Sequence, residues 1–101
     1  MDNRIELQEI FEKILESKNV YFNPPPNVKL RYPCIIYKLS GEDAKYASNR
    51  PYARKPRYSV SLIDKNPDSK YRHKIADLPL CAFDRYYAAD NMNHFVYNIY
   101  H

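Results

Sequence analysis

The residue types that could do chemistry are scattered in this chain, and each has a plainer use nearby. "DKNPDS", residues 64 to 69, opens like a calcium loop, with Asp64, Asn66 and Asp68 at its first, third and fifth positions. Ser69 then stands where the sharp turn needs glycine, and Ile75 where a bidentate glutamate should close the shell, so these residues read as helix capping. Asp84, Asp90 and His94 form a carboxylate and histidine set whose spacing matches no ligand motif, and His73 and His101 add none. Turn formation and surface pairing account for them. Ser59 and Ser61 lie in an alternating strand pattern without a nucleophile-elbow sequence. The single glycine, Gly41, excludes phosphate-cradling loops, which need several glycines for close backbone approach. The expectation is a protein with no catalytic residues, no metal and no cofactor, and hence not an enzyme.

Concentrated charge appears in one place. Residues 41 to 56, "GEDAKYASNRPYARKP", have no apolar period, and a connection that long inside a compact domain is usually functional or disordered. Arg50, Arg54, Lys55 and Arg57 alternate here with Tyr52 and Tyr58, stiffened by Pro51 and Pro56. Interleaved cations and rings suit phosphate contact with base stacking, docking on an acidic protein face, or a merely solvated loop. Folded as a hairpin arm, the segment would reach about 25 Å, far enough to touch a neighbouring subunit. The candidate partner-interface residues are Tyr46, Tyr52, Arg54, Lys55 and Tyr58; the candidates for lying near DNA are Arg50, Arg54, Lys55 and Arg57.

The elements that must position these residues follow from length and pattern. A chain of 101 residues holds one core and one domain, 1–101, with a long protruding loop at about 41–57. Net charge of +4 and a pI near 9.0 permit a polyanionic partner without demanding one. Eleven tyrosines and four phenylalanines without tryptophan favour surfaces that are apolar yet partly wet, a weak interface signal. Cys34 and Cys81 sit in apolar runs, which suits buried free thiols and a cytosolic protein, and no signal-peptide stretch or membrane-length apolar run is present.

Asn3 and Glu6 form a capping box ahead of Leu7, Ile10, Phe11, Ile14 and Leu15, which predicts a helix over 4–17. "VYF" is a short strand ended by Asn23 and the prolines at 24 to 26. These lack the repeated P-x-x-P of a recruitment ligand, and read as an extended polyproline spacer of about 9 Å. Strands follow at 33–40, with Ile35, Tyr37 and Leu39 on one face, and at 57–64, with Tyr58, Val60 and Leu62 on one face. Asn66 and Pro67 start a second helix striped by Tyr71, Ile75 and Leu78 and ended by Pro79. "LCAFDRYY" and "HFVYNIYH" close the chain as a hairpin turning at Asp90 and Asn91. The fold class is α+β: a mainly antiparallel sheet of four to five strands, two helices packed on one face, and a long inter-strand loop.

The phrases "NPPPNVKLRYPCIIY", "NRPYARKPRYSVSLIDKNPDS" and "LPLCAFDRYYAADNMNHFVYNIY", covering about residues 20 to 101, resemble a small neck or tail-completion protein of tailed bacteriophages and prophages of Gram-positive bacteria. Within that group the order of helices, strands and loop is similar to the tail terminators. The resemblance implies a structural virion protein, assembled in the host bacterial cytoplasm. It would form a homo-oligomeric ring, a hexamer, that caps the tail tube, stops its polymerisation and presents a head-attachment surface. Its implied partners are the tail tube protein, a head-completion or connector protein, and genomic DNA passing through the lumen without sequence readout; no membrane is implied. Ser48 stands where the family pattern is often acidic, which leaves this loop more basic. Another neck part, an adaptor or head-closure protein, is the neighbouring reading, and a small nucleic-acid-binding regulator the reading from another class.

Overall fold

Leu7, Phe11 and Leu15, four residues apart, put one apolar stripe on a helix, and all three are buried. The computed structural model describes residues 3–47 and 50–101, with side chains at 4–41 and 56–101. Helix α1 runs Asn3–Leu15, and the Asn3 side chain of the expected capping box lies outside the described residues. Glu16, at φ 55°, closes the helix in the left-handed region, and the Ser17 N–H donates back to the Glu12 carbonyl at 3.2 Å.

Five strands follow or flank the second helix: β1 Val20–Phe22, β2 Cys34–Ala47, β3 Arg50–Asp64, then α2 Arg72–Ala76, β4 Cys81–Ala89 and β5 Met92–Tyr100. They form one sheet in the order β1-β2-β3-β5-β4, antiparallel except for the parallel β1–β2 pair. The expected α+β class, mainly antiparallel sheet and helices on one face are all present.

Register explains the core. Ile35, Leu62 and Phe95 lie side by side, as do Tyr37, Val60 and Tyr97, and then Leu39, Tyr58 and Ile99. All of these except Leu39 are buried, and they pack with Leu7, Phe11 and Leu15 of α1 and Ile75 of α2. Both helices therefore cover the same face. Leu39 continues the row past the helical layer and is 53 % exposed.

Three local expectations change. The proline segment is not a straight spacer, because the Val28 N–H donates to the Pro25 carbonyl at 3.2 Å and makes a turn. A parallel β1–β2 pair requires the chain to travel back before it can pair, which an extended rod could not do. The Tyr32–Pro33 bond, just before β2, is cis. The second helix begins at Arg72 and not at Pro67. Asp64 Oδ1 accepts from the Asn66 N–H (3.1 Å) and Asn66 Oδ1 from the Asp68 N–H (2.9 Å), but these side-chain turns lead into further turns. Helical bonding sets in only after Ser69, whose Oγ accepts from the Tyr71 N–H (3.4 Å) and whose carbonyl accepts from the Arg72 N–H (3.4 Å). The stripe itself survives, with Ile75 buried and Tyr71 and Leu78 packed against the core.

Third, the long inter-strand connection is built as paired strand. Residues 41 to 47 and 50 to 56 continue β2 and β3 as a two-stranded arm, with bulges between Leu39 and Gly41 and between Lys45 and Tyr46. The arm draws the molecule out to 49 × 24 × 24 Å and its radius of gyration to 14.5 Å, against about 13 Å for a spherical domain of similar length. At the arm's base, Arg57 Nε donates to Ser40 Oγ (3.3 Å) and Nη2 to the Ser40 carbonyl (3.4 Å). A β-carbon on Gly41 would come within 2.9 Å of that guanidinium, so the lone glycine stands where the clamp passes closest.

Candidate assembly surface

The helical layer is narrower than the sheet. α1 lies against β1 and β2, and α2, five residues long, reaches only the near side of β4. β4 is the last strand of the sheet, no strand among the described residues pairs with its outer side, and every residue from Ala82 to Ala89 is exposed. Its rings rest on β5: Phe83 meets Tyr97 edge-on at 5.5 Å, Tyr86 leans on Phe95 at 5.2 Å and donates its hydroxyl to Asn93 Oδ1, and Tyr87 stacks on His94 at 4.5 Å, with the Arg85 guanidinium over its ring at 6.0 Å. Phe83 remains 56 % exposed, Tyr86 47 % and Tyr87 42 %. Covering such a half-exposed ring is worth on the order of 1–2 kcal/mol.

A bulge spreads these rings over both faces of the strand. Phe83 is opposite Tyr97 and Arg85 opposite Val96, so Asp84 is the extra residue and the alternation slips by one. Phe83 and Tyr86 thus share the helix side, while Arg85 and Tyr87 share the other. Asp84 and Arg85 pair at the bulge, Oδ2 to Nη1, at 3.3 Å.

Leu80, immediately before β4, sharpens the picture. Its φ of 57° is left-handed, a conformation that costs a leucine roughly 1–2 kcal/mol, and its side chain is 54 % exposed. Neither property helps the isolated fold. A strained backbone thus carries an exposed apolar side chain beside three exposed rings, the combination that makes this edge a candidate contact surface. Leu80 also forms one wall of a cavity of about 430 Å³ with Leu7, Ile10, Leu78 and Ile99, where His101 Nε2 meets Glu6 Oε1 at 3.4 Å.

The opposite end of the sheet is different in kind. β1 offers three residues, and Asn23 at φ 45° and then the prolines stop it. Phe22 is 38 % exposed there, under the Arg4 guanidinium at 4.6 Å. One sheet edge is short and blunted by proline, the other long and aromatic.

The residues singled out from sequence fare unevenly. Tyr58 is 5 % exposed and packs edge-on against Tyr37 at 5.9 Å, so it serves the core and is withdrawn as an interface residue. Arg57 is tied across the arm's base to Ser40. Tyr46, Tyr52, Arg50, Arg54 and Lys55 fall on the arm, where the register sets Arg54 opposite Ala44 and Lys55 opposite Asp43, and their side chains lie outside the described residues. Asp84, Asp90 and His94 are not brought together: they occupy the bulge, the hairpin turn and the helix-free face. Among the described residues there is no cluster of three or more histidine, cysteine, aspartate or glutamate side chains that could hold a metal, and no helix is long and apolar enough to cross a membrane.

The aromatic edge itself escaped the sequence reading, although "FDRYY" held the signal. Two adjacent tyrosines cannot both face one core, and neither alternating set in residues 81 to 87 is purely apolar. Comparison with models of protein families, with curated proteins and with solved structures finds no match to this chain.

Proposed function

We propose that this protein is a structural subunit of a tailed-phage neck, of the tail terminator type, which assembles as a hexameric ring on the end of the tail tube, stops its growth and offers a surface to the head connector. The observation that carries the reading is the asymmetry of the sheet edges. A closed ring repeats one heterologous contact, so each subunit needs two unlike surfaces directed to different neighbours. The aromatic β4 edge with Leu80 supplies one, and the arm supplies a second. In the ring, the basic residues Arg50, Arg54, Lys55 and Arg57 line the passage of genomic DNA, which they touch through phosphates without reading sequence.

Electron microscopy of the purified protein, with and without tail tubes, tests the reading. Rings seated at tube ends support it. A protein that stays monomeric and ignores tubes overturns it, and rings that bind only the head connector reassign it to head closure.

A further inference from the structure

Backbone phase identifies which polar groups of β4 and of the arm are turned outward. The Tyr100 N–H donates to the Leu80 carbonyl at 3.1 Å, and the register then faces Ala82 with Asn98, Arg85 with Val96 and Tyr87 with His94. By alternation, with Asp84 as the bulged residue, Cys81, Phe83, Tyr86 and Ala88 direct N–H and C=O away from β5, where no strand meets them. β4 contains neither proline nor lysine to discourage an added strand.

The arm has two outer edges of unequal quality. The His101 N–H donates to the Pro56 carbonyl at 3.2 Å, so the Pro56 backbone faces away from β2. Its cross-strand partner Glu42, and by alternation Ala44, therefore face away from β3. β1 covers β2 only from Ile35 to Tyr37, which leaves the β2 edge of the arm, residues 41 to 47, without a pairing strand. That edge holds no proline. The β3 edge carries Pro51 and Pro56, which have no N–H to give.

We infer that the arm of one copy adds its β2 edge, residues 41 to 47, as an extra strand along β4, Cys81–Ala89, of a second copy. The same chain holds both halves of the contact: a proline-free edge of seven residues, about 23 Å, and an acceptor of nine, about 30 Å. The arm stands clear of the domain far enough to reach a neighbour, and the added strand covers Phe83, Tyr86 and Tyr87 with another chain's side chains. The contact is heterologous, so its repetition builds a ring. The choice of a second copy as occupant rests on the ring reading above.

Two proline variants test it, each placed at an outward-facing position so that no hydrogen bond within the chain is lost. Ala44→Pro blocks the arm, Ala88→Pro blocks β4, and circular dichroism checks that each is folded. Analytical ultracentrifugation should find each variant monomeric alone, with self-association weakened at least about tenfold, while their equimolar mixture forms a one-to-one heterodimer through the single contact left intact. Should either variant fail to fold, Glu42→Cys with Ala88→Cys in a Cys81→Ser background replaces it, since antiparallel addition over Phe83, Tyr86 and Tyr87 sets these two outward-facing positions opposite each other. Mild oxidation should give a covalent ladder of oligomers. Rings unchanged by both prolines, a mixture that stays monomeric, or oxidation without a ladder overturns the inference. Rings lost to both prolines but never found on tail tubes would uphold this contact and remove the terminator reading. Rings on tubes that ignore both prolines would do the reverse.

Discussion

A buried tyrosine is tolerable only where its hydroxyl is bonded, and Tyr37, with no exposed surface, shows how that is arranged. Its Oη donates to Gln8 Oε1 at 2.6 Å and accepts from Arg4 Nη1 at 3.3 Å, while Gln8 Nε2 donates to the Val20 carbonyl at 3.0 Å. One residue so ties α1 to both β1 and β2. Tyr37→Phe should lower unfolding free energy by about 1–2 kcal/mol in a denaturant titration, because it strips two bonds and leaves Gln8 short of a partner. Burial also pushes the Cys34 thiol up to about 12 from an ordinary 9.0. A raised folded value favours the protonated form, so this contribution to stability is complete below about pH 9 and is lost as pH rises towards 12. Denaturation midpoints should be flat through neutrality and fall above pH 9, less steeply in Cys34→Ala than in the wild type. The core side of these residues was legible because alternation assigns a face; the Gln8 and Arg4 contacts were not, since they join positions about 30 apart in sequence.

At the scale of elements, connections more than strands hold the surprises. Asp90 and Asn91, at φ 55° and 62°, make the two-residue turn whose twist matches a hairpin, which their residue types suggested in advance. Asn91→Gly should be neutral or gain up to about 0.5 kcal/mol, whereas Asn91→Val should cost about 1–2 kcal/mol, both read by thermal unfolding. Leu80 has no such signature: nothing in "LPLCAF" announces a left-handed leucine, because the strain is imposed by the path from α2 into β4. Leu80→Gly, which trades the strain against the lost packing and the freer unfolded chain, should leave monomer stability within about 1 kcal/mol while weakening assembly, a split that purely structural leucines would not show. The second helix was misplaced for a related reason. "DKNPDS" contains good helix starters, and only the three-dimensional structure shows that the turns they make are followed by another before the helix begins beyond Ser69.

For the whole molecule, the division of labour is between a packed half and a projecting one. The core is built from α1, α2 and the sheet beyond the arm, while residues 41 to 47 and 50 to 56 pair only with each other along most of their length. Replacing residues 44 to 54 by an Asn-Gly turn, flanked by the register pair Asp43 and Lys55, should leave the unfolding temperature within a few degrees of the parent's while small-angle scattering reports a smaller radius of gyration and rings disappear. The sequence marked this segment as unusual from its missing apolar period. A hairpin arm was one form open to it, but the register and bulges of the pairing were not legible, since edges without a buried face carry no alternation to read.

The half-buried thiol of Cys81, raised to about 11 by burial, packs against the core at the start of β4, while its backbone faces away from β5. Strand addition along this edge would lower its access to reagents further. The chain consequently carries its own occupancy gauge: with Cys34 sealed inside the fold, the rate at which a small alkylating reagent consumes the remaining sulfhydryl reports what fraction of subunits has a neighbour, with no label introduced.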